Sequence, residues 1–88
     1  MQRFFVVARD TEDYGHQLTV FSRLEEAALV YEEAAYVVRN APGEGATNDP
    51  TIVVAAALFV ADAADEGLAK AMAADGRAFL MEREEWLE

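Results

Sequence analysis

Residues 24 to 37 read LEEAALV and then YEEAAYV, one seven-residue pattern written twice. Leu24 is answered by Tyr31, Glu25 and Glu26 by Glu32 and Glu33, and Ala27 and Ala28 by Ala34 and Ala35. Leu29 is answered by Tyr36, and Val30 by Val37. Alanine, leucine and glutamate are strong helix formers, and neither glycine nor proline interrupts the run. The repeat therefore predicts one long helix, and every other element has to be arranged around it. Ser22 and Glu25 form a capping box at its start, the hydroxyl accepting from the Glu25 amide while the carboxylate reaches back. The helix is expected from about Arg23 to Arg39, with Asn40 as its C-cap and Pro42 unable to continue it. Two heptads are too few for a coiled coil, which needs three or four.

At 100° per residue, Leu24, Ala27, Ala28, Tyr31, Ala35 and Val38 make one apolar stripe. Leu29 and Tyr36 point roughly 120–140° away from it. Glu26 and Glu33 flank them on one side, Glu25 and Glu32 on the other. Large apolar groups inside a charged rim have the composition of a contact patch. The candidate partner-binding set is thus Glu25, Glu26, Leu29, Glu32, Glu33 and Tyr36; the alternative is that Leu29 and Tyr36 tuck beneath a loop or the C-terminal tail.

With 88 residues the chain is one small domain. A domain of this size buries roughly 60–65% of the surface its unfolded chain exposes, so one modest core is available. There is no cysteine, which removes disulfides and thiolate metal sites. One histidine, His16, removes any multi-histidine site. The net charge of −10 opposes direct binding to nucleic acid or to anionic membranes, because no basic patch exists to release counterions. The longest apolar run, Ile52 to Ala61, is about half of the ~20 residues a membrane-spanning helix needs. The N-terminus carries no signal-peptide pattern. A cytoplasmic protein is the expectation.

In chain order, RFFVVAR at 3–9 reads as a first strand, with Phe4, Val6 and Ala8 on one face and Phe5 and Val7 on the other. DTEDYGH at 10–16 reads as a polar turn around Gly15, with His16 an exposed turn residue. Asp10, Glu12 and Gly15 match three positions of a calcium loop, but Tyr14 and Phe21 stand where ligands belong, and the motif is rejected. QLTVF at 17–21 is a second strand. NAPGEGATNDP at 40–50 is a flexible loop, too rich in glycine and proline for regular structure. TIVVAAALFVA at 51–61 is a strand, apolar on both faces and hence central or covered by a partner. Asp62 is expected to cap a second helix running to about Asp75, with Leu68, Ala71 and Met72 inside and Gly76 after its end. RAFLME at 77–82 is a last strand, and residues 83–88 are a tail carrying Trp86 and Leu87.

The expected fold is α+β, of order ββαβαβ. It is a two-layer sandwich with one mixed four-stranded sheet and two helices on one face. The uncovered face would then carry Phe5, Val7 and Phe21, which predicts a homodimer or an obligate partner. No cysteine nucleophile, no glycine-rich phosphate loop with lysine and no Glu-x-x-His metal motif is present, so neither enzyme activity nor a cofactor is expected.

Binding is the remaining class. The chain resembles the anti-CRISPR proteins of phages and mobile elements in its small size, its acidity, its lack of cysteine and its α+β pattern. That resemblance covers the whole chain, rests on no motif and carries no residue across. It implies an inhibitor whose partner is a CRISPR effector, often approached through the effector's DNA-binding groove. More generally, an acidic surface fits a basic or nucleic-acid-binding protein partner. A second class is a structural or regulatory interaction module, such as an accessory subunit or an antitoxin-like neutraliser of a basic toxin.

Overall fold

β1 (Gln2–Thr11) is the strand on which both halves of the core are built. It pairs on one side with β2 (Gly15–Phe21) and on the other with β3 (Val53–Ala63). β3 in turn pairs with β4 (Phe79–Glu85), so the sheet order is β2-β1-β3-β4. α1 (Leu24–Arg39) joins β2 to β3, and α2 (Glu66–Ala74) joins β3 to β4. This is a computed structural model, and it describes residues 1–11, 15–40 and 53–85. The loop expected over 40–50 lies outside the described residues apart from Asn40, as do Trp86 and Leu87.

The α+β class, the order ββαβαβ, the single four-stranded sheet and the two helices agree with expectation. Every pair of neighbouring strands is antiparallel, however, so the sheet is not mixed. β2 and β3 do run in the same direction, but β1 lies between them.

The second correction concerns the helices. Successive residues on a strand point to opposite faces. Val7, with the partly buried Phe5, packs with Ala27, Tyr31, Ala34, Ala35 and Val38 of α1. Phe4 and Val6 pack instead with Ala69 and Ala73 of α2. The helices therefore cover opposite faces rather than one. On β3 the same alternation holds, Ala56 and Leu58 turning toward α1 and Phe59 and Ala61 toward α2. This accounts for a third strand that is apolar on both sides, since each side has its own helix. It also removes the reason given for a second copy, because the face carrying Phe5 and Val7 is beneath α1.

Local chemistry explains the boundaries. Thr11 and Gly15 close the β1–β2 hairpin, the Thr11 hydroxyl donating to the Gly15 carbonyl at 3.4 Å while Gly15 takes a φ of 72°. The strands extend further into the expected turn than composition implied, and His16 sits in β2. α1 begins at Leu24 with Arg23 as its N-cap and no side-chain capping bond, so the Ser22 capping box does not form. Arg23 reaches Glu25 instead, at 3.2 Å. The C-terminus follows expectation, with the Asn40 amide nitrogen donating to the Tyr36 carbonyl at 2.8 Å.

Asp62 is a strand residue of β3, facing Arg3 across the ladder with their side chains 3.0 Å apart. Asp65 takes the capping role at α2, accepting from the Leu68 amide at 2.8 Å. That later start rotates the buried stripe to Ala69 and Ala73 with Met72 beside them, and leaves Leu68 and Ala71 outside. Gly76 follows the helix with a φ of 74°, a left-handed conformation that glycine adopts without strain. Arg83 to Glu85, expected in the tail, continue β4. Between Leu58 and Phe59 the β3–β4 register shifts, and Met81 is the extra residue on β4.

Candidate functional site

Two surfaces follow from this placement. The first is the outer side of α1. Its buried residues are Ala27, Tyr31, Ala34, Ala35 and Val38, all against the sheet. At 100° per residue, Leu29 and Tyr36 lie about 165° from the centre of that stripe, further round than the sequence stripe implied because Ala34 joins the core and Leu24 leaves it. They are 63% and 62% exposed. Among the described residues nothing covers them.

Glu25, Glu26, Glu32 and Glu33 are all exposed around this pair. Glu25 is held below the usual carboxylate range, first by a backbone hydrogen bond at the helix start and then by Arg23. Glu32 shares Arg39 with Glu84 of β4, both at 3.7 Å. Glu26 and Glu33 have no ion pair among the described residues, so that side of the ridge presents unneutralised charge. All six residues singled out from the repeat thus lie on one continuous solvent-facing strip.

The second surface was not legible as a site in the sequence. α2 covers only part of its sheet face, the part bearing Phe4, Val6, Ala61 and Ala63. Further along that face no helix among the described residues covers the sheet, and a cavity of about 150 Å³ lies there. Its floor is Ala8, Ala55 and Ala57, with Phe59 at the end nearest α2. Asp10 and His16 stand on one side, Arg83 and Glu85 on the other.

Register fixes this grouping. Asp10 pairs directly with His16 on β2 and with Ala55 on β3, and Ala55 pairs with Glu85 on β4. His16, Asp10, Ala55 and Glu85 therefore form one row across the sheet, all on the face away from α1. The next row holds Leu18, Ala8, Ala57 and Arg83. The His16 Nδ1 meets the Asp10 carboxylate. An ionised carboxylate only accepts, so Nδ1 carries the proton in this contact and Nε2 is left for another partner. Arg83 Nε lies 3.6 Å from Glu85 Oε1, a loose contact outside hydrogen-bonding range.

His16, read from sequence as a turn residue, is thus a strand residue with a carboxylate partner at the edge of a cavity. The available signal was the pairing rule of the hairpin: any register matching Val6 with Val20 must also match Asp10 with His16. Chemically, the cavity offers a guanidinium, two carboxylates and an imidazole over a methyl-lined floor. Among the described residues, no hydroxyl or thiol lines it. Among the described residues, no group of three or more His, Asp or Glu side chains is placed to hold a metal ion. No helix among them is long and apolar enough to cross a membrane. Comparison of the chain with protein-family models, with curated proteins and with solved structures finds no match in any of the three.

Proposed function

We propose that this is a small acidic protein-binding protein, an inhibitor that docks the outer face of α1 onto a basic, nucleic-acid-binding protein such as a CRISPR effector. The observation that carries the reading is the exposure of Leu29 and Tyr36 on the side of α1 opposite its buried stripe, between four exposed glutamates. Apolar side chains of this size, ringed by one sign of charge, combine an anchor with electrostatic steering. With a net charge of −10, the chain is attracted to a cationic groove and repelled by nucleic acid itself.

The other reading, an accessory or antitoxin-like interaction module, rests on the same helix but on its apolar centre alone. A plasmid-interference assay in a host carrying a CRISPR effector, paired with calorimetry on the purified effector, separates the two. The inhibitor reading expects the wild-type chain to protect the plasmid and Glu26→Lys/Glu33→Lys to abolish both protection and binding. Retained activity in that variant, with loss in Leu29→Ala or Tyr36→Ala, replaces charge mimicry with hydrophobic docking. Full activity in all of them removes α1 as the docking element.

A homodimer retains a smaller candidate surface at the start of edge strand β4, where Phe79 is 71% exposed beside the exposed Leu80 and Met81. A clean monomer by light scattering ends that possibility.

A further inference from the structure

The geometry points to a ligand site in the alanine-floored cavity, independent of α1, and the ligand class is a small zwitterion of amino-acid type. The cavity lies beyond the part of the face that α2 packs against: that helix buries against Phe4, Val6, Ala61 and Ala63, and Ala55 and Ala57 are not in that cluster. Alanine at both positions leaves room above the sheet where larger side chains would fill it. About 150 Å³ is the volume of about five liquid waters, room for a compact organic molecule.

The surrounding charges restrict its chemistry. Asp10 and Glu85 flank Ala55 in one row, their Cα atoms about 10 Å apart by strand spacing. Arg83 stands one row along, over Ala57. Its terminal guanidinium nitrogens have no partner among the described residues, since its one ion pair is the loose contact from Nε. A free guanidinium fork is matched to a carboxylate, which it binds through two parallel N–H donors.

The other wall calls for the opposite sign. Asp10 accepts from His16 through one oxygen, and a carboxylate has capacity for more donors than that. A ligand ammonium between Asp10 and Glu85 uses that capacity, while the ligand carboxylate lies on Arg83. A simple anion would meet both carboxylates and the field of a chain with net charge −10. A simple cation would meet Arg83. A molecule with both charges and no net charge meets neither penalty. The alanine floor offers no competing side-chain hydrogen bond to either charge.

The test is an amide-shift titration of the labelled protein with glycine, L-alanine and 4-aminobutyrate, with acetate and ethylammonium as single-charge probes. The expected result is saturable shifts at Asp10, Ala55, Ala57 and Arg83 with at least one zwitterion, with each single-charge probe at least about tenfold weaker. Arg83→Gln is expected to weaken the zwitterion about ten- to a hundredfold, the loss of one charge-assisted pair. Ala57→Leu, which fills the cavity, is expected to abolish the shifts. Leu29→Ala leaves them unchanged, so this result and the α1 docking reading fail separately. Absence of saturable shifts with all three zwitterions to about 10 mM overturns the proposal. Acetate or ethylammonium matching the best zwitterion overturns it as well, as does an Arg83→Gln variant that is folded by circular dichroism and binds like wild type.

Discussion

Val6 and Val7 are neighbours on β1, both with no accessible surface, and they belong to different cores. Val6 packs in the cluster beneath α2 and Val7 in the cluster beneath α1. Each Val→Ala change removes two buried methyl groups and is expected to destabilise by about 2 kcal/mol. Because the two side chains share no packing partner, the double variant is expected to show a coupling below about 0.5 kcal/mol. Urea unfolding of the four proteins measures this directly. A coupling of several times that size means that the two residues share a core, and the opposite-face arrangement is wrong.

The capping assignments make a paired prediction. Asp65 accepts from the Leu68 amide at 2.8 Å, whereas α1 has no side-chain capping bond. Asp65→Ala is expected to cost about 1 kcal/mol, and Ser22→Ala to stay within about 0.5 kcal/mol of wild type. Thermal melts of the two variants decide it, and a larger loss at Ser22 restores the capping box.

Gly76 and Gly67 respond to alanine in opposite directions. Gly76 follows α2 with a φ of 74°, so an added Cβ is strained there even though no atom stands within 4 Å of it. A loss of about 1 kcal/mol is expected. Gly67 lies inside α2, where its Cβ meets only the Asp65 Oδ1, at 3.4 Å. Alanine there is expected to raise stability by about 0.5–1 kcal/mol through helix propensity. Denaturant midpoints that move in the same direction for both variants contradict the assignment.

Tyr31 is buried against the sheet, and its phenol is shifted above its ordinary pKa of 10.0. Desolvation is the main cause, followed by the carboxylates of Glu82, Glu84 and Glu32, with Arg39 opposing them. The unfolded chain therefore releases this proton at lower pH than the folded one. Stability from this group is fully present below the unfolded value and falls as pH rises through the folded value. In a Tyr14→Phe/Tyr36→Phe background, the tyrosinate absorbance reports Tyr31 alone. Its midpoint is expected above 10.0, together with an alkaline loss of stability; a midpoint at or below that value refutes the burial argument.

Much of the fold was legible because its signals are local. The alternation of Phe4, Phe5, Val6 and Val7 identifies a strand with two apolar faces. The run from Val53 to Ala61 repeats that pattern despite its alanines, and it is a central strand. The duplicated heptad places α1, and the angle between its stripe and its outer ridge turns Leu29 and Tyr36 away from the sheet; that no described residue covers them is seen only in the structure. Asp62 and Asp65 were confused because both are good caps within reach of the same helix start. The pairing of Asp62 with Arg3, 59 positions away, together with that of the buried Ala63 with Gln2, places it in the strand. The cavity residues were illegible for a related reason: Asp10, His16, Arg83 and Glu85 share a face only after three separate strand pairings are made.

The amino-acid order by itself determined the number and type of elements, the amphipathic faces of β1, β3 and α1, and the acidic ridge around Leu29 and Tyr36. These follow from periodicity and propensity, which act over a few residues. Only the tertiary structure decided that α1 and α2 take opposite faces, that β1 and β3 are the inner strands, and that Ala55 and Ala57 lie outside the cluster beneath α2. A helix with an alanine stripe packs equally well on either side of a sheet that is apolar on both. Which side it takes depends on where the strands pair and how the connections cross them, and that depends on contacts between residues far apart in the chain.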